Sequence, residues 1–223
     1  MPPTLSPSVS RTLTHVDSLH ARQTYERIAF LYDFLDAPYE IAWKRPLRRR
    51  VFEGLQGAIL DAGVGTGCNF AAYPAGVKAS GCDASAAMLE RARARADKLG
   101  LSVELRCSDL TRLDWPDNTF DGIVATFVFA CIEDHEQAAA LSELRRVCKP
   151  DGEIRIVDYR LSPRPLVRAR QKVMSRWLNG TFAATYTPTT EKYFEQAGLE
   201  VIEEKFIRTD VLKMIRLRPR QQV

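Results

Sequence analysis

A glycine-rich loop that follows a short apolar run is the stretch most informative about chemistry. Residues 58–69 read A-I-L-D-A-G-V-G-T-G-C-N, with glycines at 63, 65 and 67. Ordering glycine costs conformational entropy and packs no side chain, so three glycines in one loop require a reason. One reason is a nucleotide that lies against the backbone, where a larger side chain would collide. The spacing differs from the Gly-x-Gly-x-x-Gly of dinucleotide-binding loops, because Gly67 comes one position early.

Three aspartates are predicted to stand at the ends of three successive strands. Asp61 precedes the glycines, where it would repel a pyrophosphate and would suit a cation such as the ammonium of a methionine. Asp83 lies 20 residues after Gly63 (83 − 63) and can accept both ribose hydroxyls. Asp109 follows the next strand and could accept from the exocyclic amine of adenine. With no P-loop lysine, the pattern describes a nucleoside without phosphates, and S-adenosylmethionine fits that description.

The elements that must position these residues alternate between strand and helix. Apolar spacing predicts helices over 19–36 and 39–54, a strand at 58–61, and a helix from about Thr66. Further strands are predicted at 77–83, 101–107, 120–126, 153–158, 201–206 and 211–217, and further helices at 85–99, 135–147 and 187–198. Ser85 is a suitable N-cap and Gly100 a suitable stop for the helix at 85–99. The alternation predicts an α/β fold with a doubly wound, mostly parallel sheet.

Composition narrows the class of protein further. The chain has 223 residues, a formal net charge of +4 and 45% hydrophobic residues, and no apolar run reaches the roughly 18 residues that span a bilayer. The N-terminus lacks the regions of a secretory signal. Five irregularly spaced cysteines and three scattered histidines predict reduced thiols and no metal site. We therefore expect a cytoplasmic protein, with a flexible tail over 1–18 and a single domain over 19–223.

Five motifs recur in the order typical of a known family. The stretches Asp61–Gly67, Gly81–Ser85, Ser108–Leu110, Asn118–Thr126 and Leu144–Gly152 resemble the motifs of class I S-adenosylmethionine-dependent methyltransferases. The resemblance covers about residues 55–160. It implies a Rossmann-like sheet of about seven strands, with lid helices over 19–54 and a helical insertion over 162–184 after the fifth strand. It also implies that the product is S-adenosylhomocysteine and that the following residues bind the cofactor: Tyr25, Tyr32, Asp61, Gly63, Gly65, Gly67, Asn69, Asp83, Ala84, Met88, Ser108, Asp109, Leu110, Thr126 and Phe127.

Within this family the chain resembles the branch of bacterial phospholipid N-methyltransferases and quinone C-methyltransferases. The resemblance rests on Leu31–Asp33, Arg45–Arg50, the glycine loop with Asn69-Phe70, and Ala125–Ala130; Trp43-Lys44 is similar to the quinone group. The chain departs from the pattern at Asp158-Tyr159, where many relatives carry Glu-His or Asn-His. This departure bears on the acceptor more than on the cofactor.

The implied reaction is an in-line transfer of a methyl group from a sulfonium to a nucleophile. The leaving group is neutral, so alignment and desolvation dominate catalysis. An amine acceptor must also lose a proton near the sulfonium. The catalytic candidates are Tyr32, which by resemblance covers the methionine end of the cofactor, Tyr159 at a strand end, and His135 at a helix start. Their structural alternatives are lid packing, a strand-end tyrosine and a solvated histidine, respectively.

Two regions indicate the kind of acceptor. Ala125–Ala130 lacks the Asn/Asp-Pro-Pro-aromatic sequence that holds a planar amine in nucleic-acid methyltransferases, which disfavours nucleic acid and favours an acyl-chain or prenyl acceptor. The insertion has apolar residues at helical spacing, with Trp177 among them. Its basic residues suit an anionic membrane surface: Arg164, Arg168, Arg170, Lys172 and Arg176. The alternative is a helix that caps the domain.

We therefore expect N-methylation of a phospholipid headgroup amine, of the phosphatidylethanolamine type, by a peripheral protein on the inner membrane surface. Methylation of a quinone ring carbon or of a small thiol or hydroxyl compound are the alternative reactions, and a cofactor-binding protein without turnover is the alternative class. A second group of basic residues at 44–50 indicates a polyanion, an anionic membrane or a solvated face.

Overall fold

The computed structural model describes residues 44–182 and 190–220, together with positions 23, 24, 26, 34 and 40. The predictions for Tyr25 and Tyr32, the predicted tail over 1–18, and most of the helix predicted over 19–36 lie outside these residues. The side chains of 176–182, including Arg176 and Trp177, also lie outside them.

Strands and helices alternate along the described residues. The strands are β1 (Ala58–Ala62), β2 (Lys78–Asp83), β3 (Val103–Cys107), β4 (Phe120–Thr126), β5 (Cys148–Tyr159), β6 (Leu199–Arg208) and β7 (Leu212–Pro219). The α-helices are α1 (Arg45–Phe52), α2 (Ala86–Leu99), α3 (Gln137–Val147) and α4 (Pro165–Phe182). Short 3-10 helices span Phe70–Ala72, Phe129–Cys131 and Thr190–Tyr193.

The seven strands form one sheet in the order β3-β2-β1-β4-β5-β7-β6. Pairing is parallel from β3 to β5, whereas β7 runs antiparallel between β5 and β6. The strand order reverses between β1 and β4, so the carboxyl ends of these strands diverge into a crevice where α/β folds bind ligands. The prediction of a doubly wound, mostly parallel sheet of about seven strands is confirmed.

The core lies on both faces of the sheet, as a doubly wound topology requires. On one face, Val51 and Phe52 of α1 pack with Ile59, Val124 and Val157. On the other face, helix α3 contributes Leu141 and Leu144, which pack with Leu60, Ile123 and Ile154. Six of the seven residues of β4 are buried, because helices cover both of its faces.

Helix α2 has the start and stop signals that the sequence predicts. The Ser85 hydroxyl accepts from the backbone N–H of Met88 at 3.3 Å, and Gly100 ends the helix with a left-handed φ of 64°. These caps satisfy backbone groups that the helix itself leaves without partners.

Two helices predicted from the sequence are replaced by shorter elements. The helix expected from Thr66 is absent from the described residues, because positive φ angles at Gly65 and Gly67 interrupt it, and only the 3-10 turn Phe70–Ala72 forms. The helix expected over 187–198 is reduced to the 3-10 turn Thr190–Tyr193 within the described residues. None of the helices within 44–182 and 190–220 has the length and hydropathy needed to cross a bilayer.

Candidate functional site

The three glycines of the loop have left-handed backbones, with φ of 74° at Gly63, 55° at Gly65 and 79° at Gly67. A Cβ at Gly63 would lie 1.9 Å from Val128 Cγ2, and one at Gly67 would lie 2.4 Å from the Phe70 ring. A Cβ at Gly65 would meet no atom within 4 Å. At Gly63 and Gly67 the protein itself leaves no room for a side chain, so a nucleotide is not needed to explain these two glycines. Of the three loop glycines, only Gly65 faces open space, and the expectation of a nucleotide against the backbone now applies to this residue.

Asp83 connects the glycine loop to the start of α2. Its Oδ2 accepts from the N–H of Gly65 and its Oδ1 from the N–H of Ser85, each at 2.9 Å. A carboxylate has about four acceptor positions, so these two bonds leave capacity for two further donors. Burial raises the pKa of Asp83, while the hydrogen bonds from Ser85 and Gly65 lower it. The arrangement can accept two neighbouring hydroxyl groups.

Asp61 is fully buried and does not line the cavity in front of the loop. Asn69 Nδ2 lies 2.9 Å from each of its carboxylate oxygens, and the Tyr73 hydroxyl donates to Oδ2 at 2.8 Å. Arg48 donates in turn to Asn69 Oδ1 and to the carboxylate of Glu40. The carboxylate of Asp61 thus positions Asn69, which does line the cavity. A direct contact of Asp61 with an ammonium group remains a prediction.

Burial raises the pKa of Asp61 from 3.8 to about 6, and the hydrogen bonds from Asn69 and Tyr73 and the Arg48 guanidinium oppose the rise. The nearby charge of Asp83 raises it further. Near pH 7 the ionised form still predominates. The loop therefore lies over a buried negative charge that neighbouring donors stabilise.

A cavity of about 510 Å³ opens at the carboxyl ends of β1 to β4. From the loop, β2 and α2 it is lined by the predicted cofactor residues Gly63, Gly65, Asn69, Asp83, Ala84 and Met88. From the ends of β3 and β4 it is lined by the predicted residues Ser108, Asp109, Leu110, Thr126 and Phe127. The structure thus brings these residues to one place. Gly67 supports the loop without lining the cavity.

The wall after β3 combines apolar and polar groups. Met88 and Leu110 are buried and contribute apolar surface. Asp109 is exposed, and its Oδ1 accepts from the N–H and the hydroxyl of Thr111, each at 2.8 Å. Ser108 donates to the carbonyl of Arg112 at 3.0 Å. A flat aromatic ring with an amine at its edge would suit such a wall.

The wall after β4 has a strained backbone. Phe127 has a φ of 61°, which is unusual for a bulky residue and is typical of functional positions. Its ring centre lies 5.3 Å from that of Tyr159 and 4.9 Å from the Lys44 ammonium. Tyr159 packs against Phe127 and does not itself line the cavity, so its predicted catalytic role would have to act through Phe127.

His135 lies at the surface, with 69% of its side chain exposed. Its Nδ1 is 2.7 Å from Glu133, and it does not line the cavity. The helix start does reach the cavity one residue later, at Glu136. The structure therefore gives the catalytic prediction for His135 no support.

Sequence reasoning missed several residues that line the cavity. They include Arg48, Cys131, Ile132 and Glu136. The sequence did not distinguish Arg48 from the other basic residues of the stretch 44–50. In the structure its side chain is 8% exposed and pairs with Glu40, and Lys44 is buried as well. Val128 falls within the apolar stretch Ala125–Ala130 that the sequence did indicate, whereas the only sequence signal for Cys131 and Ile132 was their position shortly after a buried strand.

The cavity fits a nucleoside with a cationic tail. Asp83 has spare acceptor capacity, Gly65 leaves room beside it, and apolar and amine-accepting groups follow on the next wall. A doubly wound sheet with this crevice defines the class of Rossmann-like nucleoside-binding proteins. Residues 59–152 match the family described as "Methyltransferase domain".

Comparisons with known proteins define the family more closely. The chain is 33% identical over 184 residues to a phosphatidylethanolamine N-methyltransferase of Cereibacter sphaeroides, covering 82% of this chain and 88% of that protein. It is 29% identical to a ubiquinone/menaquinone biosynthesis C-methyltransferase UbiE of Burkholderia mallei, covering 77% and 79% respectively. The crystal structure of the [4+2]-cyclase SpnF matches the fold with a TM-score of 0.71 and 17% identity, over 92% of this chain and 97% of that one. The chain belongs to the class I S-adenosylmethionine-dependent methyltransferases.

S-adenosylmethionine supplies an activated methyl group on a sulfonium when it is bound. In this chain Asp83 would hold its ribose, Met88 and Leu110 would enclose its adenine, and Asp109 would accept from the adenine amine. Thr126 and Phe127, at the end of β4, would border its methionine part. Val128 and Ile132 add apolar surface to the cavity after β4, which would help to exclude water from the methyl group.

Proposed function

We propose that this methyltransferase N-methylates the amine of a phospholipid headgroup of the phosphatidylethanolamine type while it is bound to a membrane surface. The similarity to the Cereibacter sphaeroides N-methyltransferase supports the proposal, because it extends over most of both chains. The apolar cavity wall formed by Phe127, Val128 and Ile132 also suits an acceptor that carries acyl chains.

The observation that carries the proposal is the outer face of α4. Leu166 and Val173, seven residues apart on the same face, are 86% and 72% exposed. Arg170 and Lys172 are also exposed. Large apolar side chains on one exposed face of a basic helix suit an anionic lipid surface, which accommodates both kinds of side chain.

The opposite face of α4 holds the helix to the domain. Gln171 is buried, its Oε1 accepts from the N–H of Ser162 at 2.8 Å, and its Nε2 donates to the carbonyl of Arg160 at 2.9 Å. Arg168 donates to the carbonyl of Ser162 at 2.9 Å. This face is therefore occupied by contacts with the chain directly before the helix, which leaves the other face available to lipid.

The basic residues of the insertion divide into two groups. Arg168 contacts the start of the helix, and Arg164 lies 3.5 Å from Asp210. We assign the membrane contact mainly to Arg170 and Lys172. Each cation near an anionic surface contributes on the order of 1 kcal/mol.

An amine acceptor needs a group that receives its proton, and Glu136 is the candidate. Glu136 lines the cavity, as Cys131 and Ile132 do, and no side chain or amide among the described residues binds its carboxylate. Glu133 and Asp134, in contrast, pair with His135 and Lys192.

Methylation of a quinone ring is the second candidate function, favoured by the similarity to UbiE.

The test uses methyl-labelled cofactor with vesicles that contain phosphatidylethanolamine and phosphatidylglycerol, and in parallel with vesicles that contain a demethylated quinone. We expect label in the phospholipid, and label in the quinone alone would contradict the proposal.

A second experiment tests the contact of α4 with the membrane. The variant Leu166→Ser/Val173→Ser should lose sedimentation with anionic vesicles and retain affinity for S-adenosylhomocysteine. Leu99→Ser, on an exposed apolar residue of α2, is the matched control and should sediment as the wild type does. Unchanged sedimentation of the double variant would refute the role of α4.

A further inference from the structure

We propose that Asp158, at the end of β5, is a positioning residue that fixes the acceptor-side wall of the cavity. The wall is the stretch 127–132, which runs from the end of β4 through the 3-10 helix Phe129–Cys131. It contributes Phe127, Val128, Cys131 and Ile132 to the cavity.

The side chain of Asp158 binds the backbone of this wall. Its Oδ2 accepts from the N–H of Ala130 at 2.8 Å, and its Oδ1 accepts from the N–H of Tyr159 at 2.8 Å. The backbone of Phe129 also hydrogen-bonds to it. One carboxylate thus holds the first turn of the 3-10 helix and the end of β5 together.

The glycine loop supports the wall from the other side. Val128 occupies the space in which a Cβ of Gly63 would lie, so the two segments interlock. The N–H of Phe127 donates to the carbonyl of Val157 at 2.8 Å, one residue before Asp158. A left-handed φ of 61° at Phe127 costs free energy, and it persists because these contacts on both sides determine it.

Burying the carboxylate of Asp158 costs free energy. Its side chain is buried, and burial raises its pKa from 3.8 to about 7, with the backbone hydrogen bonds acting in the opposite direction. Lys213, its partner across β5 and β7, directs its ammonium to Glu191 and Glu204, at 2.8 and 2.7 Å. This lysine therefore does not neutralise the Asp158 carboxylate. An apolar side chain could be buried here at a lower cost in free energy, so we infer that the role of Asp158 is to position the backbone amides that it binds.

The experiment compares Asp158→Asn with Asp158→Glu and with the control Asp121→Asn. An asparagine keeps the volume but turns an amide N–H₂ toward a backbone donor, so one hydrogen bond is lost. Asp121 stands at the opposite end of β4, where it also accepts from a backbone amide, that of Ala58 at 2.8 Å. Its other oxygen accepts from the Lys149 ammonium at 2.6 Å. The control therefore reports what the loss of carboxylate hydrogen bonds does to the fold in general.

Hydrogen exchange by NMR tests the geometry without any acceptor. In Asp158→Asn the amides of Phe129, Ala130 and Cys131 should exchange at least tenfold faster than in the wild type, while those of β1 stay within twofold. Affinity for S-adenosylhomocysteine, measured by calorimetry, should change less than threefold. Exchange that is unchanged at 129–131, or that rises equally throughout the sheet, would overturn the assignment.

Kinetics with phosphatidylethanolamine vesicles test the consequence for the acceptor, and this arm rests on the proposed function. We expect Asp158→Asn to raise KM for the lipid at least tenfold and KM for the cofactor less than threefold, with partial recovery in Asp158→Glu. Asp121→Asn should leave both KM values within twofold. An equal rise in both KM values would refute a role on the acceptor side. A wild type that methylates no phospholipid would refute the proposed function and leave the exchange result as the test of Asp158.

Discussion

The carboxylate of Asp83 both accepts hydrogen bonds from the protein backbone and lines the cavity, and these two requirements restrict where it can lie. The N–H groups of Gly65 and Ser85 occupy one acceptor position on each oxygen. The remaining positions are directed by those same two bonds, because they fix the carboxylate plane. We therefore expect both ligand binding and the geometry of the loop to depend on this side chain.

The first prediction follows from this arrangement. Asp83→Asn should weaken binding of S-adenosylhomocysteine at least tenfold, about 1.4 kcal/mol, because an amide loses acceptor capacity for the ribose hydroxyls and opposes one backbone donor. Titration calorimetry measures this change. Asp114→Asn, at an exposed aspartate that does not line the cavity, is the control. Equal affinities for the two variants would remove Asp83 from the ribose site.

The second prediction separates the roles of two glycines. Gly63→Ala should unfold at a markedly lower temperature, because its Cβ would overlap Val128. Gly65→Ala should fold, with a cost of roughly 1–2 kcal/mol for the left-handed backbone, and should bind S-adenosylhomocysteine at least tenfold more weakly because its Cβ faces the cavity. Thermal unfolding and calorimetry measure the two effects. Normal cofactor affinity in Gly65→Ala would show that the ligand does not approach this residue.

Residue types were easier to predict than their surroundings. The spacing of acids after strands correctly brought Asp83 and Asp109 to the cavity, because the carboxyl ends of parallel strands share an edge. The same reasoning did not show that Asn69 and Tyr73 occupy the oxygens of Asp61. Nor could it distinguish His135 from Glu136, since the angle at which a helix begins depends on tertiary packing.

Helix α2 shows how a local signal becomes an element. Its N-cap, its apolar face of Met88, Leu89, Ala92 and Ala96, and its glycine stop are all readable in sequence, and the structure contains all of them. The caps satisfy backbone groups that neighbouring elements do not reach. Strong local agreement of this kind makes the element predictable.

The third prediction concerns this stop. Gly100→Ala should lower the free energy of unfolding by about 1 kcal/mol, because alanine is disfavoured at a φ of 64° although no atom lies within 4 Å of its Cβ. Urea denaturation measures the change, and affinity for S-adenosylhomocysteine should be that of the wild type. A neutral effect on stability would mean that the helix end rearranges at no cost.

Elements were mispredicted where glycine geometry and tertiary contacts override periodicity. The apolar residues after Thr66 suggested a helix, but the left-handed Gly65 and Gly67 turn the chain back on itself. The loop then packs Phe70 into the space above Gly67. Periodicity alone does not contain this information, whereas the φ angles of the glycines do.

Across the whole sheet, three carboxylates lie at the carboxyl ends of strands. Asp83 is the last residue of β2, Asp61 and Asp158 are each one residue before the end of β1 and β5, and burial raises the pKa of all three. The sequence predicted the edge and two of these acids as ligand groups. It did not predict the burial of Asp158, because burial depends on how the chain after β4 folds over β5. Placing these carboxylates at the carboxyl ends of the strands therefore lowers the stability of the fold and provides the polar groups of the site.

The last prediction measures that cost. Unfolded aspartate titrates near 3.8 and folded Asp158 near 7, so the stability that the protonated form provides is fully present below about 3.8 and is lost as pH rises through about 7. The free energy of unfolding of the wild type, relative to Asp158→Asn, should therefore fall by on the order of 3–4 kcal/mol between pH 4 and pH 8. Urea denaturation across this range gives the difference. For Asp121, whose bond to Lys149 lowers the pKa, the corresponding difference from Asp121→Asn should be flat above pH 5, because its titration lies below 3.8. A flat profile for Asp158→Asn as well would show that Asp158 is ionised throughout and is solvated better than its burial implies.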